Sequence, residues 1–312
     1  MSGETDRTAG AAVSRWSRSP RRMPPILALT FLAAWASGET ADQLFRQGSY
    51  AEAASAYRQL IESSPESADA LAGLGQCLLR LHRANEAVPY LGRAVRLRPA
   101  SVELKQALAR AYLDTGDAGG AQSAIDSLYE TDPHNAGTLF LLGEWMYRGA
   151  FYERAAQALG EALTLHPDDP AARSFYAVSL AKSGHLAEAE AACKKLLEDR
   201  AAPADLDVTL TYVQLLDEAG RAAEALPYAN AAVREHPDNP IARYWRARLQ
   251  FQAGRLEEAA KDAEQSVVLS PNLPFARNLL LEIYRKMGRQ EDAEKQAAWL
   301  REYDERMAAR GR

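Results

Sequence analysis

The side chains that could do acid–base or metal chemistry are few and do not cluster in the sequence. The five histidines are His82, His134, His166, His185 and His236. All fall at predicted helix ends or turns, and no two share the spacing of metal ligands. The sequence also lacks HExxH, GxSxG and the glycine-rich phosphate or dinucleotide loops. We therefore predict a protein that is not an enzyme and that uses no metal, cofactor or small-molecule substrate.

The two cysteines and the paired acids have structural explanations. Cys77 and Cys193 form no CxxC motif, and each falls on a predicted helix. We expect two small buried core residues there, because the spacings typical of zinc or redox sites are missing. The pairs Asp168-Asp169 and Asp238-Asn239 each precede a predicted helix start. Helix capping explains these acids better than catalysis, since a side-chain oxygen there accepts bonds from unpaired backbone N–H groups.

Composition and charge restrict the class of protein. The chain is 47% hydrophobic and 25% charged, with apolar stretches dominated by alanine and leucine. Without alternating runs of valine, isoleucine and threonine, this favours an all-α fold. Residues 1–36 carry five arginines and two acids, which leaves 32 basic and 40 acidic side chains, or a charge of -8, for the rest. An acidic body argues against nucleic-acid binding.

Residues 1–36 differ from the remainder, residues 37–312. A basic stretch leads into the apolar run from Ile26 to Ala36, which ends in Ala34-Trp35-Ala36. This order predicts a cleaved secretory signal and an exported, periplasmic or secreted protein. Two alternatives stay open: an uncleaved anchor, which alone would bring the chain to a membrane, and a helix that packs on the first repeat. The start could be Met1 or Met23.

The rest of the chain repeats with a regular period of about 34 residues, a length typical of stacked structural repeats. Prolines recur at Pro65, Pro99, Pro133 and Pro167 and, after a two-residue slip, at Pro203, Pro237 and Pro271. Alanines recur at Ala53, Ala87, Ala121, Ala155, Ala189, Ala225, Ala259 and Ala293. Glycines recur at Gly48, Gly116, Gly184, Gly220, Gly254 and Gly288, with His82 in the same slot and Gly149 one residue early.

Each series predicts one feature of a helix pair. Proline ends the second helix, and glycine closes the first in the left-handed conformation. A further series caps the next first helix: Ser67, Ser101, Asn135, Asp169, Asp205 and Asn239. Three first helices should begin with Pro170, Pro240 and Pro274. The recurrent alanine marks the place where two helices approach too closely for a larger side chain.

Two helices in each such period resemble the tetratricopeptide repeat. The second repeat shows the pattern as Leu71, Leu74-Gly75, Leu78, Ala87, Leu91, Ala94 and Pro99, and the fourth, residues 136–167, matches as well. The resemblance covers residues 38–305. It implies an all-α, right-handed α-solenoid of about eight repeats. The last helix, from Glu291, has a polar face suited to the open end of such a stack.

In the family that this chain resembles, one face of each first helix lines a concave groove that binds partners. The residues of this chain on that face that we predict to bind are Arg80, Arg110, Phe140, Glu144, Tyr147, Arg148, Gln214, Tyr244, Arg248 and Phe251. Aromatic rings beside arginines are typical of binding hot spots. The alternative is that these rings pack against adjacent repeats. The lysine and asparagine of the carboxylate clamp found in some relatives are absent.

The resemblance implies a protein-binding scaffold. We predict that the chain holds an extended peptide or a partner helix in its groove, in the cell envelope. The alternative is a structural spacer or assembly factor that uses its convex face, in a secretion, polysaccharide-export or cytochrome-maturation complex.

Overall fold

The computed structural model describes residues 40–198 and 205–310, so the predicted signal in residues 1–36 and the turn at Pro203 lie outside the described residues. Residues 40–46 are helical and form α1. The other helices are α2 Tyr50–Ser63, α3 Ala68–Arg80, α4 Ala84–Leu97, α5 Val102–Thr115, α6 Ala118–Thr131, α7 Ala136–Arg148, α8 Tyr152–Leu165, α9 Pro170–Lys182, α10 Leu186–Glu198, α11 Leu206–Glu218, α12 Ala222–Glu235, α13 Pro240–Gln252, α14 Leu256–Leu269, α15 Pro274–Lys286 and α16 Gln290–Arg310. The described residues form no strand. The predicted all-α solenoid is confirmed.

The helix boundaries follow the repeated residues. The side chains of all six predicted caps accept a backbone N–H from the first turn of the next helix: Ser67, Ser101, Asn135, Asp169, Asp205 and Asn239. Pro170, Pro240 and Pro274 begin α9, α13 and α15 as predicted. The turn inside each pair is closed by a residue with positive φ, which is glycine in six repeats, His82 in the second and Ala150 in the fourth.

Close packing explains why the repeats keep small residues. All eight recurrent alanines are buried, from Ala53 to Ala293. A Cβ atom added to Gly143 on α7 would stand 2.5 Å from Leu159 Cγ on α8. Such a distance is shorter than any ordinary contact, so the two helices of the fourth repeat can approach only because position 143 has no side chain.

A proline–arginine pattern ties neighbouring repeats together in three places. Arg173, Arg243 and Arg277 each lie three residues after the proline that begins their helix. Each Nε donates a hydrogen bond to the carbonyl of the proline before that helix, at 2.6, 2.7 and 3.1 Å. Since the carbonyl belongs to the segment that follows a second helix, P-x-x-R secures the junction between one repeat and the next.

The chain divides into two compact units, Met1–Leu97 and Arg98–Arg312. In the first unit, Leu71, Leu74 and Leu78 of α3 and Leu91 of α4 are fully buried. In the second unit, buried residues such as Ile125, Leu159 and Leu216 form a series of core clusters between successive helices. Within each unit, the helices bury their apolar faces against one another, as a stacked fold requires. Across residues 40–198 and 205–310, no helix combines the length and apolarity needed to span a membrane.

Candidate functional site

The first helices of the second unit form a common inner face. Each first helix from α5 to α13 contacts the first helix of the next repeat, whereas none of the described second helices contacts another second helix. The first helices therefore lie closer together than the second helices. The side chains of the first helices that face away from the second helices form one surface. We call this surface, formed by α5, α7, α9, α11, α13 and α15, the inner face.

A buried carboxylate joins α5 to α7 on the inner face. Glu144 is only 1% exposed, although it lies on the face predicted to bind partners. Its Oε2 accepts a bond from Arg110 Nη1 on α5 at 2.5 Å, and its Oε1 accepts one from Arg148 Nη2 at 2.6 Å. Arg148 also donates to the Leu113 carbonyl at 2.6 Å. Glu144 therefore holds two arginines in place and has no free surface with which to contact a partner.

Three aromatic rings cluster beside this network. Phe140 and Tyr147 of α7 both pack edge-on against Phe175 of α9, with ring centroids 6.1 and 5.1 Å apart. The Arg110 guanidinium lies 5.4 Å from the Phe140 ring centroid. Burial, followed by the charge of Asp207, raises the pKa of Tyr147 above its ordinary value. The rings pack between repeats and remain partly exposed, so both the packing and the binding interpretation keep support.

A second buried carboxylate joins α11 to α13. Asp217 has a side chain that is 2% exposed. Its Oδ2 accepts a bond from Arg248 Nε at 2.7 Å, and its Oδ1 accepts one from Gln252 Nε2 at 2.7 Å. The hydrogen bond from Arg248 to Asp217 raises the pKa of the Arg248 guanidinium. As with Glu144, an acid of one repeat is neutralised by a base of the adjacent repeat.

A second aromatic cluster lies beside Asp217. Tyr244 packs edge-on against Phe275 of α15 at 4.6 Å between ring centroids. Phe251 lies two turns further along the same face of α13, with Lys286 Nζ 4.7 Å from its ring centroid. Phe275 is 40% exposed, and Phe251 is partly exposed. The two clusters place partly exposed rings next to positive charge at two points of the inner face, which is the composition of a protein-binding hot spot.

The two remaining predicted residues lie apart from these clusters. Gln214 of α11 is exposed and donates to Glu218 one turn further along the same helix. Arg80 ends α3 in the first unit and is exposed there. The structure therefore brings Arg110, Glu144 and Arg148 into contact, places Phe140 and Tyr147 around one ring, and joins Arg248 to Asp217.

The set of residues predicted to bind left out three residues of the inner face. Phe175 and Phe275 complete the two aromatic clusters, and Asp217 anchors Arg248. The sequence did contain a signal for ion pairs between repeats, because Arg110 and Glu144 carry opposite charges and lie one full repeat apart. Residues one period apart occupy the same slot in neighbouring repeats, so opposite charges at that spacing predict an ion pair between repeats.

Outside the inner face, the side chains that could be reactive are either buried or do not cluster. Both cysteines are buried thiols, and burial raises the pKa of Cys77 to about 11 and of Cys193 to about 12. A neutral buried thiol is a poor nucleophile and a poor metal ligand. Within the described ranges, no three histidine, cysteine or acidic side chains converge to hold a metal ion.

Comparison with known proteins agrees with this geometry. Two family models, both described as "Tetratricopeptide repeat", match the chain, one at residues 39–102 and 213–275 and the other at residues 78–139 and 152–207. Together they cover more than half of the chain. No curated protein sequence matches it.

Solved structures show the same fold at low sequence identity. A tetratricopeptide repeat protein from Parabacteroides merdae ATCC 43184 is 18% identical, with 80% of this chain and 98% of that one covered and a TM-score of 0.58. The APC/C hetero-tetramer Cut9–Hcn1 is 15% identical, with 78% and 48% covered and a TM-score of 0.67, so this chain spans about half of that one. PilW, a type IV pilus biogenesis factor, is 22% identical, with 64% and 91% covered and a TM-score of 0.56.

Both family models describe the same repeat, and the caps, alanines and turns of the structure recur with its period. The chain belongs to the tetratricopeptide repeat family.

Proposed function

We propose that this protein is a non-enzymatic scaffold whose inner face binds an extended peptide or a partner helix. The tetratricopeptide fold is that of protein–protein interaction scaffolds. Stacked repeats of this kind present extended concave surfaces to their partners. The observation that carries the proposal is the pair of aromatic clusters, Phe140–Tyr147–Phe175 and Tyr244–Phe275 with Phe251 nearby.

We propose different roles for the residues of the inner face. Glu144 and Asp217 are buried and position the arginines. Tyr147, Phe251 and Phe275 keep exposed ring surface, so these are the side chains that would contact a partner. Because neighbouring repeats already fix the rings and arginines, binding would require little ordering of side chains, which favours affinity.

Photo-cross-linking tests where the partner lies. A photoreactive phenylalanine analogue placed at position 251 should capture the native partner. The same analogue at position 268 should not, because Val268 is 68% exposed but lies on the second helix α14. Capture only from position 268 would contradict binding at the inner face and favour the alternative of an assembly factor that uses its second helices.

Substitutions test the affinity. Tyr147→Ala and Phe251→Ala should each weaken partner capture by about tenfold, the effect of a hot-spot residue. Val268→Ala is the matched control, since it removes an exposed apolar side chain elsewhere. Thermal melts of each variant establish that the fold is retained. Unchanged capture by both inner-face variants would contradict the proposal.

We further propose that the scaffold works in the cell envelope. The basic and apolar order of residues 1–36 supports export. The fold of the PilW pilus factor is compatible with this place, although that of Cut9–Hcn1 shows that the fold serves other assemblies too. N-terminal sequencing of the protein from fractionated cells tests the point: a start at Ser37 supports export with cleavage, and an intact Met1 contradicts the cleaved signal.

A further inference from the structure

The turn between α7 and α8 departs from the pattern of every other repeat. The residue after the positive-φ position is polar in seven repeats: Ser49, Arg83, Asp117, His185, Arg221, Arg255 and Arg289. In the fourth repeat this residue is Phe151, which is 54% exposed. The residue three positions after this one is acidic in six repeats. In the fourth repeat it is the exposed Arg154.

The ordinary residues at these positions stabilise the turn, and the replacements do not. Arg83–Glu86, Arg221–Glu224 and Arg289–Asp292 form ion pairs across three residues, at 2.6, 2.8 and 2.7 Å. Phe151 and Arg154 can form no such pair. Phe151 also provides no side-chain cap to α8. The fold of the repeat therefore gives no reason for a phenylalanine at this exposed position.

The backbone of the same turn is strained. Ala150 takes a φ of +62°, a conformation in which six other repeats use glycine. The preceding Gly149 has an ordinary φ of -80°. A Cβ atom at position 149 would stand 3.0 Å from the Phe151 ring. The glycine is thus used to seat the phenylalanine, and alanine accepts the strained position, which is the kind of outlier that accompanies functional sites.

An apolar cavity opens beside Phe151. It has a volume of about 360 Å³ and lies between the α5–α6 and α7–α8 turns, with Tyr112, Leu113, Trp145 and Phe151 among its lining residues. The residues of α6 that line the cavity are the small Ala118 and Ala121, and their size leaves this space open. The cavity is large enough for one aromatic side chain.

Opposite charges flank the cavity. Asp117 lies on the α5–α6 side and Arg154 on the α7–α8 side, and both are exposed. Asp114 and Arg148 already form an ion pair with each other, at 4.0 Å, so they are not counted among the charges that face outward. One patch thus contains an apolar projection, an apolar cavity, and acidic and basic sides.

We propose that this patch binds a second copy of the chain. A two-fold axis running between the two turns would carry Phe151 of each copy into the cavity of the other. The same axis would place the basic side of each copy against the acidic side of the other. A surface that carries its own complement in both shape and charge is what an isologous dimer requires. The patch lies at the helix turns, so the dimer would leave the inner face available and does not depend on the function proposed for it.

Removal of the projection tests the dimer. In sedimentation equilibrium, the wild-type chain should dimerise, and Phe151→Ser should raise the dimer dissociation constant at least ~10-fold, as expected for a central aromatic anchor. Serine is a favoured cap residue, so α8 should persist and circular dichroism should be unchanged. Leu186→Ser is the matched control, because Leu186 is 48% exposed at the equivalent turn of the next repeat. A wild-type monomer, or a Phe151→Ser dimer as strong as wild type, would overturn the proposal.

A charge exchange tests the orientation. Arg154→Glu and Asp117→Arg should each weaken the homodimer, since each places like charges opposite one another. An equal mixture of the two variants should dimerise again, because each interface of the mixed pair then joins opposite charges. Failure of the mixture to associate, with both variants folded, would overturn this two-fold arrangement. A monomeric chain that binds a different protein through Phe151 would overturn the dimer itself.

Discussion

At the scale of the residue, the fourth repeat contains an alanine, Ala150, in a backbone conformation that favours glycine. An L-residue with positive φ loses roughly 1–2 kcal/mol relative to an ordinary conformation. Ala150 accepts this strain where six other repeats have glycine. His82 does the same in the second repeat. The Phe151 ring lies against Gly149, the residue before this strained position.

We predict that Ala150→Gly stabilises the protein. The change removes the left-handed strain and adds some unfolded-state entropy, so the free energy of unfolding should rise by about 0.5–1 kcal/mol. Urea denaturation at one fixed protein concentration measures it. The reciprocal control is Gly254→Ala, which has a φ of +74° and no atom within 4 Å of the added Cβ. It should lower stability by a similar amount. A destabilising Ala150→Gly would show that the turn is not strained.

At the scale of the element, first helices are held together by acids that a helix pattern alone would place on the surface. Glu144 joins α5 to α7, and Asp217 joins α11 to α13. Three P-x-x-R junctions add a bond from a first helix to the segment before it. These contacts fix the spacing of neighbouring repeats, and so also the spacing of the aromatic clusters between them.

We predict that Asp217→Ala destabilises the stack. The change removes two hydrogen bonds, one of them from a charged donor, and Arg248 can partly recover through its exposed surface. The free energy of unfolding should fall by about 1–3 kcal/mol. Glu218→Ala, one residue along and exposed, should change it by less than about 0.5 kcal/mol. Equal urea midpoints for the two variants would show that the buried carboxylate does not join the repeats.

At the scale of the whole molecule, the second unit ends in the long helix α16. This helix covers α15, the first helix of the last repeat. Ile283 and Tyr284 of α15 are buried beneath it, together with Ala293 of α16. Beyond Tyr303, the described side chains of α16 are exposed. A solenoid needs such a covering helix because its repeats bury their apolar faces only against neighbours.

We predict that a chain ending at Arg289 loses this cover and a chain ending at Tyr303 keeps it. The shorter chain should melt at a lower temperature and bind a dye that reports exposed apolar surface. The longer one should behave like the full chain, because it retains the Ala293 contact and the stacked pair Trp299–Tyr303. Equal melting temperatures for the two truncations would show that α16 does not act as a cap.

The sequence by itself determined the repeat, its helix pairs, the caps and the buried alanines, because each of these depends on local backbone chemistry that recurs once in every repeat. The resemblance to the family placed the predicted groove on the first helices. Only the tertiary structure decided what the residues of the inner face contact. Glu144 is buried because Arg110 of the preceding repeat covers it, and Phe140 and Tyr147 belong to one cluster because both pack against Phe175 of the next repeat. The cavity beside Phe151 likewise results from small residues of an adjacent repeat. Contacts between repeats depend on how closely neighbouring helices approach, and the period alone does not specify that distance.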